Sequence, residues 1–313
     1  MMSEKNFSVE VLWHMYEGML VSRMLDTKCF DDFAEWYPAF GEEAVTIGAF
    51  GSLVEGDFAV PHYRGSMGVF WLRGMSLEQI IGGLLFKTNS VSLGRLSGLH
   101  GGDFTKKILP SVTNVLGPNV SSGTGLAMAE KLKGGKGVTV IGFGDGTAAL
   151  GTLHETLNMA KIYDLPVVYV CQDNQYSISS RSTQFHSWDS LATWAAGYNI
   201  PSTRVDGNDA LAVRAEVDAG IERARNGGGP TFIDALTFRM GGHLSTDKAL
   251  YQADDEKLIW ENKDPIKNLE KHMLKELGIT NQEVSAFKAK VQARILEAWA
   301  TVISSESVTL ESK

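Results

Sequence analysis

Two short, unbroken apolar runs, GVTVIGF at 137–143 and LPVVYVCQD at 165–173, are joined by a single helical segment. That arrangement leaves few folds open. A strand that is apolar at consecutive positions must be covered on both faces, which happens where helices pack on both sides of a parallel sheet. The joining segment, Leu150 to Tyr163, carries Leu153, Leu157 and Ala160 at helical spacing. STRVDG at 202–207 predicts a third strand. A helix from about Asp209 to Arg225 follows, and GPTFIDALTFRMGGH at 229–243 holds a fourth strand. The fold class is α/β: a doubly wound, mostly parallel sheet with helices on both faces and a C-terminal helical extension.

Other segments fit around this centre. Residues 8 to 35 predict a helix, with Ser8 as its N-cap and Leu12, Tyr16, Met19 and Leu20 on one stripe. A second helix is expected in GEEAVTIGAFGSL, a short strand and loop in GDFAVPHYRGS, and a further helix over Ser76 to Phe86. Lys87 to Asn119 is rich in Gly, Ser and Asn and has no sustained period. It keeps enough apolar residues to suggest an ordered segment lining a ligand. Beyond Asp254 the chain reads as charged amphipathic helix with a polar tail, SSESVTLESK. We therefore expect a ligand-binding domain over 1–253 and a helical extension over 254–313.

Composition narrows the function. The net charge of −8 and the absence of a basic stripe argue against nucleic acid as a partner. Cys29 and Cys171 suit neither a disulfide framework nor a zinc site. MMSEKNFSVE has no apolar signal core or Arg-rich amphipathic character, and no window reaches the length of a membrane span. The expectation is a cytoplasmic protein.

The chemistry lies in VTVIGFGDGTAALG, where Gly142, Gly144 and Gly146 bracket Asp145. Asp145 falls just past one predicted strand, and Asn174 just past the next, 29 positions on. A right-handed crossover sets those strands side by side, so both residues converge at the carboxyl rim, where such sheets bind ligands. Carboxylate and carboxamide oxygens are hard donors that suit Mg²⁺, and the Tyr176 carbonyl is a third candidate. The helix starting near Leu150 would direct its N-terminus at an anion there. The predicted site is a Mg²⁺-bridged phosphate site. A dinucleotide fingerprint fits poorly, because GFGDGT gives G-x-G-x-G and its acid would repel a bare pyrophosphate. A Walker loop would need G-K-[ST] after the glycines. A tight turn capped by Asp145 is the structural alternative.

GDG followed after 27 residues by Asn174 resembles the thiamine diphosphate motif. The wider chain, from about Phe7 to Trp260, resembles the α subunit of the thiamine diphosphate-dependent 2-oxoacid dehydrogenase decarboxylating component, of pyruvate, acetoin and branched-chain type. HYRG, NVLGPNVSSGTGLAMA, GDGTAALGTLHETLNMA, LPVVYVCQDNQYSIS, RVDGNDALAVRAE and GGHLSTD follow in that family's order. The resemblance implies a thiamine diphosphate-binding fold, with Asp145, Asn174 and the Tyr176 carbonyl holding Mg²⁺. It implies that Tyr63 and Arg64 meet the diphosphate, with Gly144, Gly146 and Thr147 of the same loop beside it. Asn114 would offer backbone to the aminopyrimidine, and Leu116 would be the wedge that bends the cofactor. His243 is the candidate to hydrogen-bond a diphosphate oxygen or a covalent intermediate, and His100 would lie near the thiazolium. Each histidine is expected to titrate near neutrality and so to move a proton either way. His14, His62, His154, His186 and His272 have weaker cases.

The resemblance further implies decarboxylation of a pyruvate-like 2-oxo acid with transfer of the acyl unit. A separate β subunit would supply the activating Glu in an α2β2 heterotetramer, so that the chain is inactive alone. A lipoyl arm on a transferase core would be the acceptor. Several positions depart from the family pattern. Gly65, Ser66 and Met67 stand where His is frequent, and Ser66 joins His100 and His243 as a catalytic candidate. Glu35, Trp36 and Tyr37 replace the usual entrance residues, and Ala149-Leu150 replaces Asn-Gln. Leu244 stands at a position phosphorylated in regulated members. These departures leave open an acyloin-forming, transketolase-like carboligase that passes a two-carbon unit to a carbonyl acceptor. A non-catalytic cofactor-binding subunit is a reading of another class.

Overall fold

A computed structural model describes residues 7–96, 98–110 and 114–309. Residues 1–6, where no export segment was expected, and residues 310–313 of the polar tail lie outside them.

The chain opens with α1 (Val9–Asp32), capped by Ser8, whose hydroxyl accepts from the Val11 amide at 3.3 Å. α2 (Glu43–Phe50) is buried along its whole length. β1 (Phe58–Val60) is followed by α3 (Ser66–Leu72) and by α4 (Leu77–Leu84), whose Ser76 and Gln79 form a capping box. An irregular stretch with two short 3₁₀ turns leads to α5 (Pro118–Leu132). Then come β2 (Thr139–Gly144), α6 (Gly151–Ile162) and β3 (Val167–Asp173). A small hairpin of β4 (Tyr176–Ser177) and β5 (Ser180–Arg181) precedes α7 (Leu191–Ala196). β6 (Ser202–Asp206), α8 (Ala210–Arg225) and β7 (Thr231–Leu236) complete the alternation, and α9 (Asp254–Glu261), α10 (Pro265–Glu276) and α11 (Asn281–Ile303) end it.

The sheet has five strands in the order β1-β2-β3-β7-β6, all parallel. Alternate side chains of β2 and β3 go to opposite faces. Ile141, Phe143, Tyr169 and Cys171 pack with Leu153 and Leu157 of α6 and Val120 of α5. Val140, Val168 and Val170 pack with Val45 of α2 and Val213 and Val217 of α8. This explains the unbroken apolar runs: each face has its own helical cover. α3, α7 and the hairpin are too short to show a period.

A third apolar cluster joins the two ends of the chain. Met15, Met19 and Leu25 of α1 meet Ile266, Leu269 and Met273 of α10 and Val291, Ile295 and Trp299 of α11. The helices after Asp254 thus close over the first helix, while α9 buries none of its residues. Met273 is fully buried. Met273→Ala should lower stability by about 2–5 kcal/mol, the usual cost of such a cavity. Urea unfolding of this variant should show one shifted transition. A separate early transition confined to residues 254–303 would show instead that these helices fold as an appendage.

Candidate functional site

The registers of β2 on β3 and of β3 on β7 bring three strand ends level. Gly144 pairs with Gln172, and Gln172 with Ala235. The chain leaving each strand therefore emerges at one rim, and the cavity lies there. Tyr63, Arg64, Asn114, Leu116, Gly144, Asp145, Gly146, Asn174, Tyr176 and His243 all line it, joined by Tyr37, His62 and Arg239. Sequence reasoning had named the first group; it had ranked His62 low and missed Arg239.

Asp145 is 2% exposed. One carboxylate oxygen accepts the Gly146 amide at 3.0 Å, and the other has no partner. Burial holds its pKa well above the usual carboxylate range, with Asp173 and Glu42 adding to the effect and Arg239 opposing it. Such an oxygen suits a cation. Gly146 is required by close approach: a Cβ there would stand 2.5 Å from the Ser177 hydroxyl of the hairpin.

Asn174 is oriented by Glu42. The Asn174 amide nitrogen donates to Glu42 Oε1 at 2.9 Å, and Gln172 Nε2 donates to Glu42 Oε2 at 3.0 Å. A carboxylate only accepts, so it draws the amide nitrogen to itself and leaves Oδ1 on the other side. There Oδ1 accepts from the Tyr176 amide at 3.2 Å. Glu42 is fully buried, with Arg64 Nε 3.8 Å away. In sequence it reads as an ordinary acid at a helix start, and only the fold shows its burial.

Two arginines with almost no exposure supply positive charge. Arg64 donates to the Pro38 carbonyl at 2.6 Å and to the His243 carbonyl at 3.3 Å, and lies over the rings of Tyr37 and Tyr63. Much of its fork is thus used within the protein. Arg239 donates to the Ile178 carbonyl at 2.7 Å and the Tyr251 hydroxyl at 2.6 Å, and lies 3.4 Å from the Tyr176 carbonyl. It lies three residues past the end of β7, so the strand-rim rule applied to LTFRMGG would have found it.

Several expectations need correction. His243 does not titrate near neutrality: burial, Arg64 and Arg239 push its pKa down to about 4. His100 ends a 3₁₀ turn and is absent from the cavity lining, and burial lowers its pKa too. Ser66 is fully buried and its hydroxyl donates to the Leu99 carbonyl at 3.4 Å. Gly65, at φ +87°, turns the chain into α3, and Ser66 is not among the residues that line the cavity. Thr147 is buried behind the loop, and Glu35 and Ala149 are exposed outside the cavity. A 3₁₀ turn over Asp145–Ala149 separates the α6 N-terminus from the rim. Asn114 reaches Tyr37, its side-chain amide donating to the hydroxyl at 3.0 Å.

Among the described residues, no group of three or more His, Cys, Asp or Glu side chains is placed to hold a metal. The oxygens gathered here come instead from one carboxylate, one amide and one main-chain carbonyl. Together with two arginines, they line one cavity at the strand rim.

A family model described as dehydrogenase E1 component matches residues 16–311, and the chain belongs to that family. It is 36% identical over 274 residues to the acetoin:2,6-dichlorophenolindophenol oxidoreductase α subunit of Bacillus subtilis, covering 85% of this chain and 81% of the relative. It is 33% identical over 300 residues to the 3-methyl-2-oxobutanoate dehydrogenase α subunit of Mycobacterium tuberculosis, covering 92% and 78%. It is 31% identical over 296 residues to the pyruvate dehydrogenase E1 component α subunit of Rhizobium meliloti, covering 91% and 84%.

The buried histidines give a pH dependence. Burial, with Arg64 and His243, lowers His62 from 6.5 to about 3. Between those values the unfolded chain binds the extra proton, so the stability from neutral His62 is complete above about pH 6.5 and is lost as pH falls. Buried carboxylates act in the opposite sense, so the difference between wild type and His62→Phe isolates this effect. In urea unfolding of the unliganded chain, wild type should lose stability relative to the variant from about pH 6.5 down to about pH 4. A constant difference would contradict it.

Proposed function

We propose that this chain is the α subunit of a two-subunit thiamine diphosphate-dependent enzyme that decarboxylates a pyruvate-like 2-oxo acid and transfers its acyl unit. The observation that carries the proposal is the bare, buried oxygen of Asp145 beside Asn174, facing a cavity that also holds Arg64. A carboxylate without a partner fits a cation, an arginine fits an anion, and a magnesium diphosphate is both at once.

In this reading Asp145, the Asn174 side-chain oxygen and the Tyr176 carbonyl hold Mg²⁺. Arg64 and Arg239 offset the diphosphate charge, and Tyr63 borders it. Leu116 lies against the Gly146 turn and shapes the apolar part of the cavity. When bound, thiamine diphosphate supplies a carbon nucleophile and an electron sink for loss of CO₂. His243, uncharged at neutral pH and edge-on to Tyr37 at 5.1 Å, offers a hydrogen bond beside the reacting end. The activating Glu comes from a β subunit, which completes the site in an α2β2 assembly, and a lipoyl transferase core is the acceptor.

The carboligase alternative rested on Ser66, Glu35 and Ala149. None of them lines the cavity, so nothing at the site favours it. A non-catalytic subunit would have no need to keep Asp145 and Asn174 together.

The test is reconstitution. The chain with its β-type partner, Mg²⁺ and thiamine diphosphate should release CO₂ from pyruvate or a branched 2-oxo acid with an artificial electron acceptor, and the chain alone should not. Full turnover by the chain alone would overturn the subunit reading. Glu42→Ala frees the Asn174 amide and should weaken Mg²⁺ affinity by about 10–100-fold, as loss of an orienting partner does. Calorimetric Mg²⁺ titration with thiamine diphosphate present checks this.

A further inference from the structure

His62 forms part of the cavity wall and has no polar partner of its own. β1 ends at Val60, and the chain continues through Pro61 so that the imidazole lies beside Tyr63, with ring centroids 4.3 Å apart. Its other side meets the end of β2: a Cβ on Gly144 would stand 3.5 Å from Cε1 and 3.6 Å from Nε2. The residue is 8% exposed, yet neither ring nitrogen has a hydrogen-bond partner. Burial, Arg64 and His243 keep the ring neutral. It therefore carries one N–H donor and one acceptor, both unpaired, and leaving such groups buried and unmade costs stability.

Among the described residues lining this cavity, Asp145 Oδ2 is the other buried side-chain atom without a partner. The two are opposite in kind. One is a carboxylate oxygen whose charged form burial disfavours, so it calls for a cation. The other presents a donor next to Arg64 and calls for an anion. They flank the same strand end, since His62 packs on Gly144 and Asp145 follows it.

We propose that His62 is a ligand-binding residue whose ring N–H donates to a phosphate oxygen of the diphosphate, while Asp145 takes the cation paired with it. The inference rests on the thiamine diphosphate reading of the cavity and adds a contact to it. The second ring nitrogen is left to accept from bound water. The contact orients the diphosphate without adding charge, which Arg64 and Arg239 already supply.

Calorimetry on the chain assembled with its β-type partner tests this. Thiamine diphosphate and, separately, inorganic diphosphate are titrated with Mg²⁺ into wild type, His62→Gln and His62→Leu. The leucine variant should bind both ligands at least about tenfold more weakly, as expected for loss of a hydrogen bond to a charged group. The glutamine variant retains an N–H and should stay within about threefold of wild type. Without ligand, the leucine variant should melt no lower than wild type. If it fails to fold, His62→Phe keeps the ring contact with Tyr63 and carries the test. Unchanged affinity in the leucine or phenylalanine variant overturns the proposal. So does a loss seen with thiamine diphosphate but not with inorganic diphosphate, which would place the contact elsewhere on the ligand. If wild type binds neither ligand in the presence of Mg²⁺, the reading of the cavity itself falls, and the His62 contact with it.

Discussion

The buried carboxylate of Glu42 is the point on which the site depends. It stands at the start of α2, takes hydrogen bonds from Gln172 and Asn174 at the end of β3, and faces Arg64 beyond the end of β1. A charge buried this deeply persists only when it is paired and hydrogen-bonded. Its neighbour Glu43 is also fully buried and pairs with Arg23 of α1. The two acids therefore fasten α2 to the helical layer on one side and to the strand rim on the other. Through Arg64 the linkage extends to the Pro38 and His243 carbonyls, and so to both loops that border the cavity.

Arg64 and Arg239 bring positive charge to the cavity, while burial raises the pKa of Asp145 and of Glu42 and so disfavours their charged forms unless a cation or donors compensate. His62 and His243 are held uncharged by burial and by those arginines. To the proposed magnesium diphosphate this arrangement offers two arginines and two uncharged imidazoles. A further buried acid supports its edge. Asp26 accepts from the Trp36 indole at 2.8 Å and the Ala39 amide at 3.1 Å, holding the segment that carries Tyr37 and Pro38.

What the sequence revealed was local. Consecutive apolar residues in β2 and β3 report two-sided burial directly, and Ser8 and Asp209 cap the helices they were expected to begin or precede. Asp145 and Asn174 were legible because each follows a strand by one residue and the crossover rule aligns the strands. Glu42 and His62 were not: burial gives both their importance, and the Glu42 partners Gln172 and Asn174 lie more than a hundred residues away. Ser66 misled for the converse reason. Its nearness to Arg64 in sequence says nothing about which way Gly65 turns the chain between them. His100 sits in a stretch without periodicity, where position in the sequence does not fix position in space.

The central claim is that Asp145 and Asn174 form one side of a metal–diphosphate clamp, with Glu42 deciding which end of the Asn174 amide faces the metal. A crystal structure with thiamine diphosphate and Mn²⁺ in place of Mg²⁺, read by anomalous scattering, tests this most directly. The account predicts one metal peak about 2.1 Å from an Asp145 carboxylate oxygen and from Asn174 Oδ1, the spacing expected of hard oxygen donors. A metal bound away from Asp145, or an Asn174 amide turned with its nitrogen to the cavity, would contradict it.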